Sequence, residues 1–298
     1  MYGHPVWRIS LHVDFDEHKS GISTQLFWSC MRILVWHWGR KGAGPLYTLQ
    51  MAKALKHLHK ESVALSYSEQ NEQVDEFRSL ALPSLEIKTF RTAFEALSRS
   101  LLLPNLQKKF FQFIQEQEVD VVYCPMWHPW NAAMVAKLRR VHIPYVLTIH
   151  DGIRHLGDSG PLDRWLERYE QERADAYIAL SQFVKDQIDK RPHQPPFGTT
   201  LIPLPNLELP KPSSRIAEQS DSLNCLFIGR IRPYKGLSLL LDALSLASNS
   251  RPGIRLTIAG EGNMAQLSDR LRQIPSIDIH NSGYLIMSLL TYFIATMS

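Results

Sequence analysis

The run Phe227-Ile228-Gly229-Arg230-Ile231-Arg232-Pro233-Tyr234-Lys235-Gly236 decides how this chain is read. Cys225, Leu226, Phe227 and Ile228 make a short unbroken apolar stretch of the kind that forms a buried strand. Gly229 lets the backbone turn, and Leu237 to Leu246 carries apolar residues at helical spacing. Strand, glycine turn and helix in that order are the unit of a parallel α/β sheet, which takes its ligands at the carboxyl edge of its strands. Arg230 and Lys235 both fall at that edge. Two fixed cations there suit a diphosphate: each within about 4 Å of a phosphate charge contributes roughly 4 kcal/mol at an effective dielectric of about 20, before desolvation. A solvated basic turn would contribute little, and these residues alone leave both readings open.

The same alternation runs outward through the chain. Strands are expected at Ile33 to Trp36, Ser62 to Ser66, Leu85 to Lys88, Val119 to Cys124, Tyr145 to Ile149, Ala176 to Leu180, Thr199 to Ile202, Cys225 to Ile228, Arg255 to Ala259 and Ile277 to His280. Helical patterns lie between them, at Leu46 to Leu58, in a Leu- and Phe-rich region reaching about Gln117, and at Ala132 to Val141, Leu162 to Arg173 and Gln182 to Lys190. Strands alternating with helices predict doubly wound parallel sheets. Pro192, Pro195, Pro196, Pro203, Pro205, Pro210 and Pro212 then interrupt any long helix and mark a connector. After it only three strands are expected, against about six in a complete dinucleotide-type sheet.

With 298 residues, 44% of them apolar, the chain is of the size at which one core becomes two. The balance of 33 basic against 29 acidic residues, with no run of like charge, gives no nucleic-acid stripe. Cys30, Cys124 and Cys225 offer no paired metal-ligand spacing and fit a reducing cytoplasm. No segment reaches the roughly 18 to 20 apolar residues needed to span a bilayer. Residues 1–30 have scattered charge and no apolar core, so they read as an extension outside the fold, and Met31 reads as the natural start.

Gly39, Gly42 and Gly44 occupy the loop after the first strand, ahead of a helix whose amino terminus favours anions. They are not the dinucleotide fingerprint, because Tyr47 stands where the third glycine belongs, which argues against a nicotinamide oxidoreductase. Thr148-Ile149-His150-Asp151-Gly152 puts an imidazole at the same edge, where it can donate a hydrogen bond, shuttle a proton or simply be structural. Glu261, between Gly260 and Gly262, meets a sugar hydroxyl or caps the following helix. Asp14, Asp16, His12 and His18 resemble a metal cluster but precede the fold. Lys108, Lys109, Phe110, Phe111 and Phe113 resemble a membrane-contacting helix, although the same spacing describes an ordinary helix with a Phe core face and a solvated Lys face.

Taken in order, these motifs resemble the retaining glycosyltransferases of the GT-B fold, family 4 (glycosyl transferases group 1), over Met31 to about Tyr284. The resemblance rests on Phe227 to Gly236, Leu256 to Gly262, Asn281 to Tyr284, the Gly42 to Gly44 loop, Thr148 to Asp151 and Ala174 to Ser181. It implies two Rossmann-like doubly wound domains: 31–205 on the acceptor side, a linker at 206–222, and 223–298 binding the donor and cut short. It also implies transfer of a sugar from a UDP- or GDP-linked donor to a polysaccharide, lipid or other acceptor, without metal or cofactor and without nucleic acid. Arg230 and Lys235 would then bind and stabilise the leaving diphosphate, His150 would lie by the transferred sugar, and Gly42, Gly44, Gly229 and Glu261 would complete the donor site. The family's two Glu separated by seven residues are missing, since no Glu follows Glu261 and the Glu61, Glu69 pair lies in the first domain. Weak or absent activity is therefore expected, with a noncatalytic nucleotide-sugar or partner-binding remnant as the alternative. The expected location is the cytoplasm, with room for peripheral contact at the inner face of the membrane.

Overall fold

The computed structural model describes residues 31–58, 62–153, 160–204, 223–229, 231–248, 250, 253–260, 262, 267 and 277–280. In the first unit the strands are β1 (Ile33–His37), β2 (Val63–Ser68), β3 (Ser84–Ile87), β4 (Val121–Cys124), β5 (Tyr145–Ile149), β6 (Ala176–Ala179) and β7 (Thr199–Leu201). Between them run α1 (Ala43–Leu58), α2 (Val74–Ser79), α3 (Ala93–Ser100), α4 (Leu103–Glu116), α5 (Asn131–Arg140), α6 (Pro161–Gln171) and α7 (Gln182–Asp189). The sheet is parallel throughout, in the order β3-β2-β1-β4-β5-β6-β7. Ile33 is in register with both Val63 and Val121, so chain order reverses at β1 and β4.

Period-two alternation along the strands divides the core between the two faces of this sheet. Leu34, Trp36, Val122, Cys124, Leu147, Ile149, Tyr177 and Ala179 face a cluster closed by Phe110 and Phe113 of α4, Met134 and Leu138 of α5, and Val184 and Ile188 of α7. Val35, Leu65 and Tyr123 face the opposite cluster with Leu49 and Ala52 of α1 and Phe77 of α2. Both faces are apolar and covered, the condition for an all-parallel sheet. Trp36 and Trp38 are fully buried with their rings edge to face at 5.0 Å, and Trp38 Nε1 donates to Ser66 Oγ at 2.9 Å.

The second unit holds β8 (Leu223–Ile228), α8 (Leu237–Ser248), β9 (Ile254–Ala259) and β10 (Ile277–His280), with the parallel order β10-β9-β8. Leu237, Leu241 and Leu244 of α8 pack on Ile254, Leu256 and Ile258 of β9 with Ile231. Both units are thus Rossmann-like, the second carrying three strands among the described residues. The expected extension 1–30, the connector at 206–222 and the closing Asn281 to Tyr284 lie outside the described residues.

Three expectations change in detail. The first helix begins at Ala43, three residues before the predicted Leu46. The Leu- and Phe-rich helical region resolves into two helices, α3 and α4, joined by Leu101 and Leu102, with Pro104 in the first turn of α4 where its missing N–H costs nothing. Helix α2, six residues without a side-chain cap, was not expected.

Candidate functional site

The strand order reverses between β1 and β4, and doubly wound sheets bind ligands at the carboxyl edge beside such a reversal. The residues beyond β1, β4 and β5 meet there. His150 Nε2 lies 2.7 Å from the Pro125 carbonyl. A carbonyl only accepts, so Nε2 carries the proton and the neutral ring leaves Nδ1 as an acceptor. Burial holds His150 below its usual pKa, against the opposing pull of the Pro125 hydrogen bond and the Asp151 carboxylate. The edge of the Tyr47 ring meets the imidazole with centroids 5.2 Å apart. Tyr47 itself is buried, and its hydroxyl begins a chain through Tyr123 (3.3 Å) to Thr148 (3.0 Å). The residue that breaks the dinucleotide fingerprint thus fills space beside His150.

Two further histidines belong to this edge and were not singled out from the sequence. His37, the last residue of β1, is 2% exposed; Nδ1 donates to the Met126 carbonyl at 3.3 Å and Nε2 is buried without a partner. Burial, opposed by that hydrogen bond and reinforced by His150, lowers its pKa to about 4. His128 packs against Trp38, Phe90 and Trp130 and accepts from the Trp130 N–H at 3.3 Å. Burial, then repulsion from His37 and Arg40, lowers it to about 3. All three rings are therefore neutral near pH 7.

The glycine loop takes its shape from His37. A Cβ on Gly39 would lie 2.5 Å from the His37 ring, and one on Gly44 2.9 Å from Nε2. Gly42, exposed, adopts φ +86, a left-handed conformation that an L side chain resists. Its N–H, at the amino end of α1, already donates to Glu72 Oε1 at 2.8 Å, and the Glu72 N–H returns a bond to the Arg40 carbonyl. A carboxylate thus holds the position expected for a phosphate. Gly44 is buried inside the first turn of α1, so of the two predicted glycines only Gly42 presents its backbone to solvent.

In the second unit Gly229 has φ +129, and its N–H bonds to the Ala259 carbonyl. A Cβ on Gly260 would stand 1.8 Å from the Gly229 carbonyl oxygen, and Ile231 bridges Gly262. The two turns at this edge are joined backbone to backbone, which only glycines allow. Lys235 ends a tight helical turn, Pro233–Lys235, closed by Gly236 at φ +76; it is exposed, with Nζ 5.1 Å from the Tyr234 ring. Arg230 and Glu261 lie outside the described residues, as do His12, Asp14, Asp16 and His18. Among the described residues no three His, Cys, Asp or Glu side chains gather as metal ligands. Phe110 and Phe113 of the Lys- and Phe-rich helix are buried while Lys108 and Lys109 face solvent, so its Phe face belongs to the core. Among these residues no helix is long and apolar enough to cross a membrane.

The model of Glycosyltransferase Family 4 matches residues 46–203, and that of Glycosyl transferases group 1 matches 212–275. The chain belongs to glycosyltransferase family 4. An uncharacterized glycosyltransferase of Bacillus subtilis, YqgM, is 33% identical over 105 residues, 35% of this chain and 28% of the relative. The chain spans between 28 and 53% of the length of the curated relatives it matches. Among solved structures, Anabaena HepE in complex with UDP and glucose superposes with a TM-score of 0.59 at 14% identity, covering 88% of this chain and 72% of that one. A putative UDP-N-acetylglucosamine 2-epimerase from Listeria monocytogenes gives 0.58 at 13% identity, covering 90% and 73%. These likenesses establish the GT-B fold of this family member, and that fold alone does not choose between transfer and epimerisation.

Proposed function

We propose that the chain takes part in retaining transfer of a sugar from a UDP- or GDP-linked donor to a glycan or lipid acceptor, in the cytoplasm or at the inner face of the membrane, without a metal or cofactor. Residues 31–205 form the acceptor-side domain, 206–222 the linker and 223–298 the donor-binding domain. The reading rests chiefly on one observation: a neutral, carbonyl-anchored His150 at the switch-point edge, the same type of edge on which Lys235 stands in the second sheet. Arg230 and Lys235 stabilise the diphosphate as it leaves with the electron pair of the broken glycosidic bond. His150 Nδ1 accepts a hydrogen bond from a sugar hydroxyl, which a charged imidazole could not do. The family fold supports this reading, as does the complex of HepE with UDP and glucose.

Calorimetry with UDP and GDP, followed by a donor-consumption assay, tests the proposal. Lys235→Ala and Arg230→Ala should each weaken nucleotide binding by about tenfold, equivalent to about 1.4 kcal/mol; unchanged affinity in both would overturn it. Nucleotide affinity with no donor consumption would select the alternative, a noncatalytic nucleotide-sugar-binding remnant.

A further inference from the structure

Helix α3 carries an apolar face that nothing in the first core covers. Phe94, Leu97 and Leu101 follow at i, i+3 and i+7 and so lie on one side of the helix, with Leu102 beside them. Their exposures are 79%, 74%, 82% and 58%. Surface apolar residues scattered singly are ordinary; a contiguous row of large ones is not. The helix is fixed from its other side, where Trp130 Nε1 donates to Ser100 Oγ at 3.2 Å. Thr92 Oγ1 caps it by accepting from the Glu95 N–H. The exposed row is therefore held on a formed element rather than left on a fraying one.

Its position is equally specific. The chain leaves β3 at the carboxyl edge of the sheet and enters α3 at Ala93, so Phe94 stands at the same edge as His150. Phe90, one turn earlier, packs on His128 and Trp130 of the loop after β4. The surroundings are basic: from Lys88 to Lys109 the chain carries Lys88, Arg91, Arg99, Lys108 and Lys109 against Glu95 alone. Lys88, Arg91, Lys108 and Lys109 are exposed, and Glu95 is engaged by the Arg91 N–H.

We propose that α3 seats this protein on an anionic phospholipid surface, with Phe94, Leu97, Leu101 and Leu102 entering the headgroup boundary and the flanking cations meeting lipid phosphates. Apolar insertion combined with basic attraction is the signature of an interfacial helix, and the sign of the charge selects an anionic surface over a neutral one. The surface brings the His150 edge beside the bilayer, so the acceptor it fits is a lipid-linked one. This last step rests on the transfer reading above; the docking itself does not.

The test is co-sedimentation of the full chain with vesicles of phosphatidylcholine alone and of phosphatidylcholine with phosphatidylglycerol. Binding should occur on the anionic vesicles, weaken with salt, and fall by about tenfold or more in Phe94→Ser/Leu97→Ser/Leu101→Ser and in Lys108→Glu/Lys109→Glu. The substituted side chains are exposed, so unchanged melting and UDP affinity should accompany the loss. Equal binding to neutral vesicles, no binding to either, or undiminished binding by both variants would overturn the proposal. So would a dimer in light scattering that the Ser variant dissociates, because the face would then belong to a second copy. Loss of UDP binding in the wild type would sink the transferase reading and leave the docking result standing.

Discussion

At the scale of single residues, His37 explains what the glycines after β1 are for. Gly39 shows no left-handed backbone, so the His37 imidazole 2.5 Å from its absent Cβ is the obstacle to a side chain there. Gly39→Ala should therefore cost about 1–3 kcal/mol of unfolding free energy by overpacking. In a His37→Ser background the same change should cost much less; equal costs in the two backgrounds, measured by urea titration, would show that the loop is constrained by something else. His150 was legible because it directly follows an apolar strand. His37 was not, because a polar residue closing a strand reads as the strand's end. Its signal was the pair Gly39 and Gly44, spaced to receive a ring, which pattern alone reads as a ligand loop.

At the scale of elements, α6 carries a buried acid that holds the site from behind. Glu170 is fully buried, accepts from the Tyr145 hydroxyl and from Asn131 Nδ2 at 2.9 Å, and leaves Oε2 without a partner. Asn131 also donates to Cys124 Sγ, and the Cys124 thiol donates to the Met126 carbonyl that His37 shares. Burial raises the Glu170 carboxyl to about 8 from 4.5, so the folded state favours the protonated form. The stability it supports is complete below about pH 4.5 and is lost as pH rises through 8. Thermal melts should therefore fall between about pH 5 and about pH 8.5 in the wild type and fall less in Glu170→Gln; parallel curves would refute this. The histidines run the other way. Depressed to about 4 and about 3, His37 and His128 stabilise above pH 6.5 and withdraw that support on acidification. His37→Asn/His128→Asn should retain more of its own stability between about pH 6 and pH 4 than the wild type does. The strands around this network were legible as apolar runs between turn residues. Helix α2 was not, having six residues and no side-chain cap, and Pro104 was the overlooked mark of the α3–α4 break.

At the scale of the whole molecule, the parallel direction of the strands could be read because a parallel sheet covered on both faces writes continuous apolar runs. The residues that choose donor and acceptor write no such pattern, since surface loops obey no period. The two sheets also differ in what they bury. The first has fully buried Trp36, Trp38, Tyr67 and Phe110 in clusters on both faces, whereas the described core of the second is Ile231 and six aliphatic residues of α8 and β9. No residue belongs to clusters of both sheets among those described. Calorimetric melting should consequently resolve two transitions, the lower one from the three-stranded unit. UDP at a hundredfold excess over its dissociation constant should stabilise that unit by about 2.7 kcal/mol and raise the lower transition selectively. Lys235→Ala should diminish the rise without moving the upper transition. A shift of the upper transition alone would place the nucleotide on the His150 edge and remove Lys235 from the donor site, so the melting experiment also decides which sheet holds the diphosphate.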